Sequence, residues 1–156
     1  MNRQQSLRYL PGLDGLRAVA VIAVILYHAN KSWLSGGFLG VEVFFVISGY
    51  LITMLLINES QENGKINFRA FWMRRARRLL PALWTLLIGV TTYCALFERD
   101  TLGNLRGDVV AAFVYGFNWF QIWVGTSYFS AFGFVPLRHL WSLAVEEQFY
   151  LVWPVL

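Results

Sequence analysis

Residues 79–97 read LLPALWTLLIGVTTYCALF, nineteen consecutive positions without a charged side chain. A second stretch, residues 38–57 (FLGVEVFFVISGYLITMLLI), contains one charge, Glu42. Helices of about 20 apolar residues match the thickness of the hydrocarbon part of a bilayer. The two stretches therefore predict transmembrane helices, and Glu42 is interpreted as interfacial because it lies near the outer end of its helix.

The composition of the whole chain agrees with this prediction. Of its 156 residues 57% are hydrophobic and 14% are charged, with thirteen Phe, seven Trp and seven Tyr. A water-soluble domain of this size could not bury so much apolar surface. The predicted fold class is all-α, a polytopic transmembrane helical bundle. It has about five membrane helices, at residues 13–29, 38–57, 79–97, 109–124 and 140–156.

The first predicted helix is short, because its unbroken apolar run covers only residues 18–27. Such a run is also typical of the core of a signal peptide. No small-x-small cleavage pattern follows at residues 28–31 (HANK), and Leu13 and Leu16 extend the apolar face toward the N-terminus. We therefore favour a retained, short or tilted membrane helix over a cleaved signal.

The limits of the later helices follow from Pro81 and from the charges. Pro81 is expected in the first turn of helix three, where its missing N–H costs little. The polar and basic residues 58–78 are then a loop. Residues 109–137 carry no charge over 29 positions, too many for one straight crossing. We expect the fourth helix to end near Val124 and residues 125–137 to be interfacial or re-entrant.

The distribution of the basic residues predicts the orientation. The formal net charge is +4, and with the N-terminus in the cytoplasm ten of the thirteen basic residues fall on inner segments. Those ten are Arg3, Arg8, Arg17, Lys65, Arg69, Arg74, Arg75, Arg77, Arg78 and Arg138. The excess of cytoplasmic Lys and Arg seen in membrane proteins explains this pattern. It predicts a multi-pass protein of the cell (inner, cytoplasmic) membrane with a cytoplasmic N-terminus, and it argues against nucleic-acid binding.

The single cysteine limits the chemistry that the sequence supports. Cys94 has no second cysteine to pair with, so an internal disulfide, a cysteine-based metal site and a redox pair are excluded. No metal site and no bound cofactor are predicted.

Arg17 and His28 form the first candidate site. They are eleven positions apart, about 20° past three helical turns, so both project from one face of the first helix. Arg17 is then near the inner interface and His28 toward the outer half. One interpretation is a snorkelling arginine and an interfacial histidine. The other is that His28, as a partly dehydrated neutral imidazole, acts as a general base.

The run FWMRRARRLLP at residues 71–81 places four arginines within five positions. Arg75 and Arg78, three residues apart, share a helix face. These side chains can anchor the chain at anionic lipid headgroups. The guanidinium forks are equally suited to the phosphates of a bound ligand, and the spacing does not choose between the two.

Glu146 and Glu147 lie half-way along the fifth predicted helix. A carboxyl group at membrane depth costs about 2.5 to 3.5 kcal/mol on insertion scales, so neither is expected to face lipid. Adjacent helical residues point about 100° apart, so at most one of them faces a given partner. A structural ion pair with an arginine and a role in a site remain open.

Four motifs, in order, resemble the acyltransferase-3 family of polytopic membrane O-acyltransferases. LDGLRA at residues 13–18, followed by His28, is similar to that family's Arg-x10-His signature. The other three are GVEVFFVISGYLI at 40–52, RRxxRLxP at 74–81, and HLWSL at 139–143 continuing into EEQFY at 146–150. Together they extend over nearly the whole chain.

The resemblance implies transfer of an acyl group, often acetyl, from cytoplasmic acyl-CoA to a hydroxyl group of an extracytoplasmic glycan or lipid-linked sugar. It implies that His28 is the general base or proton relay, that Arg75 and Arg78 hold the CoA phosphates, and that Arg17 and Glu146 belong to the site. The expected partners are the bilayer, acyl-CoA and the sugar acceptor.

Family members have about twice as many helices as this sequence predicts. We therefore interpret residues 1–156 as the N-terminal part of a membrane acyltransferase domain, a truncated bundle that lacks its C-terminal helices and is inactive alone. Two alternatives remain. A small transporter or channel would be favoured if proton flux depended on Glu146. A non-catalytic fragment would be favoured if no coding sequence followed Leu156.

Overall fold

A computed structural model describes residues 11–125 and 135–156, and every regular element in these two ranges is helical. The chain divides into two compact units between Asn67 and Phe68. The first unit holds α1 and α2, and the second holds α3 to α6. The helices are α1 Pro11–Ala29, α2 Gly40–Asn63, α3 Phe68–Phe97, α4 Leu102–Phe113, α5 Phe117–Val124 and α6 Leu140–Val152. Single 3₁₀ turns occupy Gly37–Leu39, Arg99–Thr101 and Trp153–Val155.

Two glycines bring α1 and α2 into backbone contact. A Cβ atom on Gly40 would lie 2.4 Å from the carbonyl oxygen of Ala20, and one on Gly37 would lie 2.3 Å from that of Ala23. No larger residue fits either position, because real Cβ atoms do not approach an oxygen so closely. Residues later in α2 meet residues earlier in α1, since Phe44 contacts Arg17. The first unit is therefore an antiparallel helical hairpin.

The second helix is longer than the sequence predicted. It continues past Ile57 to Asn63, through residues that were expected to begin a polar loop. Gly64 ends it with a left-handed φ of 67°, and its N–H donates to the carbonyl of Ser60 at 2.9 Å. Glutamate and glutamine are good helix formers, so polar residues can continue a helix beyond its apolar part.

The prediction that residues 58–78 form a loop is wrong for most of that range. α3 begins at Phe68 rather than near Leu79, and the four arginines of the basic run lie inside it. Pro81 is consequently in the helix interior and not in the first turn. At 1.5 Å per residue the 30-residue helix is about 45 Å long, more than the roughly 30 Å of a hydrocarbon core.

The predicted fourth helix, residues 109–124, is two helices. α4 ends at Phe113 and α5 begins at Phe117, and between them Tyr115 adopts a φ of 52°, which is uncommon for a residue other than glycine. The Gly116 N–H donates to the carbonyl of Ala111 at 2.8 Å. Arg106 and Asp108, which precede the predicted fourth helix, lie in α4.

The core of the second unit is built from all four of its helices. The buried side chains are apolar: Leu83, Leu87, Cys94, Leu105, Ala111, Ala112, Phe117, Leu137, Leu140 and Ala144. This packing places one face of α6 against α4 and α5, where the candidate site lies.

Within residues 11–125 and 135–156, three helices are long and apolar enough to cross a membrane: Gly12–Ala29, Gly37–Asn63 and Phe68–Phe97. Many of their large apolar side chains, such as Val19, Val46 and Ile88, are exposed, as expected for surfaces that contact lipid. α4, α5 and α6 have 12, 8 and 13 residues, so the prediction of about five crossings stays a prediction beyond the first three. The predicted interfacial segment 125–137 lies largely outside the described residues.

Candidate active site

The first step toward a site is the orientation of the basic run on α3. Arg75 is partly buried, whereas Arg74, Arg77 and Arg78 are exposed. Consecutive helical residues point in different directions, and Arg75 is turned toward α6 of its unit. The guanidinium of Arg78 makes no hydrogen bond or ion pair within the described residues.

Arg75 meets the two glutamates of α6. Its Nε donates to Glu147 Oε1 at 2.8 Å and Oε2 at 3.1 Å, and its Nη2 lies 2.8 Å from Glu147 Oε1. Glu146 Oε1 is 3.8 Å from the same Nη2. The exposed fraction of each of these three side chains is below one fifth, so the pairs are shielded from water. Charge-assisted contacts of this kind are stronger than neutral hydrogen bonds.

Tyr150 completes this cluster one helical turn after Glu146. Its ring lies beneath the guanidinium, with Arg75 Cζ 3.3 Å from the ring centroid, and its hydroxyl donates to Glu146 Oε1. The indole Nε1 of Trp72 donates to the backbone carbonyl of Tyr150 at 3.2 Å. That carbonyl belongs to the last turn of α6, where carbonyls lack partners within the helix. Arg75 therefore contacts Glu146, Glu147 and Tyr150, all within one turn of α6.

Gln148, which follows Glu147 in α6, connects this helix to the break between α4 and α5. Its Nε2 donates to the carbonyl of Tyr115 at 2.7 Å and to Asn118 Oδ1 at 2.8 Å. Its Oε1 accepts from Asn118 Nδ2 at 3.1 Å and from Trp119 Nε1 at 3.2 Å. These bonds hold the uncommon conformation of Tyr115 in place.

A cavity of about 550 Å³ lies between the Arg75 cluster and the break. α3 contributes Trp72, Arg75, Ala76, Leu79 and Leu80, the break and α5 contribute Val114, Tyr115, Gly116 and Trp119, and α6 contributes Glu147, Gln148, Tyr150 and Leu151. Its walls are largely apolar, and its charged groups are Arg75 and Glu147. A few polar groups in an apolar cavity are typical of small-molecule sites.

The first unit holds the other two predicted site residues. The guanidinium of Arg17 lies over the ring of Phe44, with Cζ 4.7 Å from the centroid. His28 is exposed at the last turn of α1, and its Nδ1 is 2.8 Å from the carbonyl oxygen of Val24. A carbonyl only accepts hydrogen bonds, so Nδ1 is the donor in this contact. In a neutral imidazole that donates through Nδ1, the lone pair is on Nε2.

Residues 10–156 match the model of a protein family described as an acyltransferase domain, the acyltransferase-3 family. The chain belongs to the acyltransferase-3 family. A relative in this family, the peptidoglycan O-acetyltransferase OatA of Listeria monocytogenes, is 53% identical over 150 residues, which are 96% of this chain and 24% of that protein. The O-acetyltransferase OatA of Staphylococcus aureus (strain NCTC 8325 / PS 47) is 52% identical over 155 residues, or 99% of this chain and 26% of that protein.

The chain thus spans about a quarter of the length of the acyltransferase-3 relatives that it matches. No solved structure matches it. Within the described ranges, no group of three or more His, Cys, Asp and Glu side chains has the arrangement of a metal site.

Of the five site residues that the family motifs predicted, Arg75 and Glu146 come close together, and Arg78 is exposed one turn after Arg75. Arg17 and His28 lie in the first unit. Glu147 forms the arginine ion pair that the sequence left open. The catalytic and binding roles of all five stay predictions.

The sequence reasoning did not identify Trp72, Tyr150 or Gln148 as members of the site. The last two belong to the EEQFY motif, which pointed to this turn of α6 without assigning their partners. Trp72 begins the turn of α3 that contains Arg75. A tryptophan next to a run of arginines was the sequence feature that could have pointed to it.

Proposed function

We propose that the chain is the N-terminal part of a membrane O-acetyltransferase that transfers an acyl group from acyl-CoA to a hydroxyl group of a cell-envelope glycan or lipid-linked sugar. The observation that carries the proposal is the family match over residues 10–156. Two relatives about half identical to the chain, both named O-acetyltransferases, support acetyl as the acyl group, and one is named for peptidoglycan.

We propose that the protein lies in the inner (cytoplasmic) membrane. Its N-terminus and the arginine-rich first part of α3 are then on the cytoplasmic side. The positive-inside rule supports this orientation, because ten of the thirteen basic residues then lie inside. In either orientation, α3 is long enough for its basic part to project from the hydrocarbon core into water.

Acyl-CoA would approach from that side, and its phosphates need cationic partners. Arg78 is exposed and offers its guanidinium fork to a phosphate group. Arg75 has part of its fork committed to Glu147, so it would contribute its remaining N–H groups. Arg78 is therefore the main phosphate ligand of the pair, and Arg75 the secondary one.

The chemistry proposed for His28 uses the lone pair of Nε2 in a neutral imidazole. Nε2 accepts the proton of the acceptor hydroxyl while the oxygen attacks the thioester carbonyl of acyl-CoA. The resulting tetrahedral intermediate collapses, the C–S bond breaks, and the CoA thiolate takes the proton back from the imidazolium. The carbonyl of Val24 holds the ring in place through Nδ1, as an orienting acceptor does in other histidine-based sites.

Arg17 and Glu146 are assigned supporting roles in this proposal. Arg17 is a substrate-binding cation held over Phe44. Glu146 accepts a hydrogen bond from the hydroxyl of Tyr150, beside Arg75. Glu146 can thereby affect the orientation of Arg75 through the shared Tyr150 ring.

The test is His28→Gln in a full-length acyltransferase that carries residues 1–156. Glutamine keeps a polar side chain of similar reach but cannot act as a base, so transfer should fall by about 10² to 10⁴. Lys31→Gln, an exposed site three residues on, is the matched control and should retain activity. Acetyl transfer to the glycan is measured together with protein level in the membrane. Wild-type transfer in His28→Gln would refute the role of His28 as the base, and absence of transfer in the wild type would refute the function.

A further inference from the structure

Gln148 uses its whole hydrogen-bonding capacity on one neighbouring segment. A primary amide has two N–H donors and an oxygen that accepts two bonds. All four positions are occupied, by the carbonyl of Tyr115, both polar atoms of Asn118 and the indole of Trp119. The amide of Asn118 faces that of Gln148 in a reciprocal pair, each donating to the other. A side chain bonded in this way has one allowed orientation.

Two of the groups that Gln148 holds form a wall of the 550 Å³ cavity. One is the backbone at Tyr115, whose φ of 52° is a conformation that needs external support. The other is the indole of Trp119, which is otherwise largely exposed. Glu147, the preceding residue, binds Arg75, which also lines the cavity. One turn of α6 therefore holds groups of the cavity lining that belong to α3 and to the break between α4 and α5.

We infer that Gln148 is a positioning residue for the acyl donor. It holds the Tyr115 carbonyl and the Trp119 ring at a set distance from Arg75, so that the cavity keeps the shape that the donor requires. This inference rests on the proposed function, because it assigns the cavity beside Arg75 to the donor. Gln148 acts through Tyr115 and Trp119, and takes no part in the proton transfer assigned to His28.

The first test is Gln148→Glu in the full-length protein. The carboxylate has the same size and still accepts from Asn118 and Trp119, but it cannot donate and is repelled by the Tyr115 carbonyl. Loss of two donated bonds at a cavity wall should raise the donor KM about tenfold, with kcat changed by less than about threefold. Gln121→Glu, the same substitution on α5 at a residue outside the cavity, should change neither parameter.

The second test measures the break directly by hydrogen exchange of a peptide covering residues 113–120. The N–H groups of Tyr115 and Gly116 are bonded to carbonyls at the end of α4, and they should exchange about tenfold faster in Gln148→Glu than in the wild type or in Gln121→Glu. The swapped pair Gln148→Asn with Asn118→Gln retains two facing amides, and should recover part of the lost donor affinity.

These measurements separate the possible outcomes. If hydrogen exchange is faster in Gln148→Glu but the donor KM is unchanged, Gln148 has only a structural role. If kcat falls by a larger factor than KM rises, Gln148 acts on the chemical step. Either result overturns the inference. If Gln148→Glu does not accumulate, Asn118→Asp removes a single donor and must still raise the donor KM. If the wild-type protein transfers no acyl group, the proposed function fails, whereas hydrogen exchange still reports whether Gln148 holds the break between α4 and α5 in place.

Discussion

Replacement of Arg75 by alanine tests the ion pair at the centre of the candidate site. The substitution leaves Glu147 beside the cavity without its cation and removes the group stacked on Tyr150. Breaking a fully buried pair costs about 3 to 5 kcal/mol. Arg75 and Glu147 are partly accessible, 19% and 15%, so we expect the lower end of that range, a loss of about 3 kcal/mol in the free energy of unfolding.

A double-mutant cycle isolates the pair from other effects of truncation. Arg75→Ala, Glu147→Ala and the double variant are unfolded in mixed detergent micelles, and the coupling energy is expected to be about 2 kcal/mol. Arg78→Ala is the matched control, an exposed arginine on the same helix, and should change stability by less than about 0.5 kcal/mol. In the full-length enzyme Arg78→Ala should instead raise the donor KM. A coupling energy near zero, or equal losses of stability for the two arginines, would refute the reasoning.

Two further predictions concern the topology and the helical hairpin. With the N-terminus inside, a cysteine at Glu62 should be protected from impermeant reagents in intact cells and one at Gly103 should be labelled; the reverse pattern would overturn the orientation. Gly40→Ala should cost about 2 to 3 kcal/mol of stability because its Cβ would lie 2.4 Å from the Ala20 carbonyl oxygen. Gly89→Ala, a helical glycine with no atom within 4 Å of the added carbon, is its control, and equal effects of the two substitutions would contradict the close contact.

The apolar blocks of the sequence predicted α1 and the membrane parts of α2 and α3. The thickness of the hydrocarbon core sets the number of apolar residues that a crossing helix needs, and this number can be counted in the sequence. The start of α3 was not predicted, since charge was interpreted as loop. Arginine, alanine and methionine are good helix formers, and nothing requires a helix to end where its apolar part does. The signal for a longer helix was Phe68, Phe71 and Trp72, which have the spacing of one helical face.

The break at Tyr115 was not predictable from local pattern. An uncharged run of residues does not indicate where one helix ends and the next begins. The positive φ of Tyr115 is supported by Gln148, which is 33 residues away in the chain. Likewise, because Glu146 and Glu147 are adjacent in a helix, the sequence showed that they point in different directions. Which of the two pairs with Arg75 depends on how α3 and α6 pack. The motif residues identified the region of the site, while its hydrogen bonds depend on contacts between distant segments.

The glycine contacts of the first unit have a consequence for biogenesis. α1 is the shortest of the three candidate crossings, and Arg17 interrupts its apolar surface. At Gly37 and Gly40 the backbone of the following segment lies directly against α1, so the two helices can leave the translocon as a pair. Commitment of α1 to the lipid phase would then await synthesis of α2. We expect a nascent chain that stops before Gly37 to insert poorly and one that extends past Asn63 to insert efficiently.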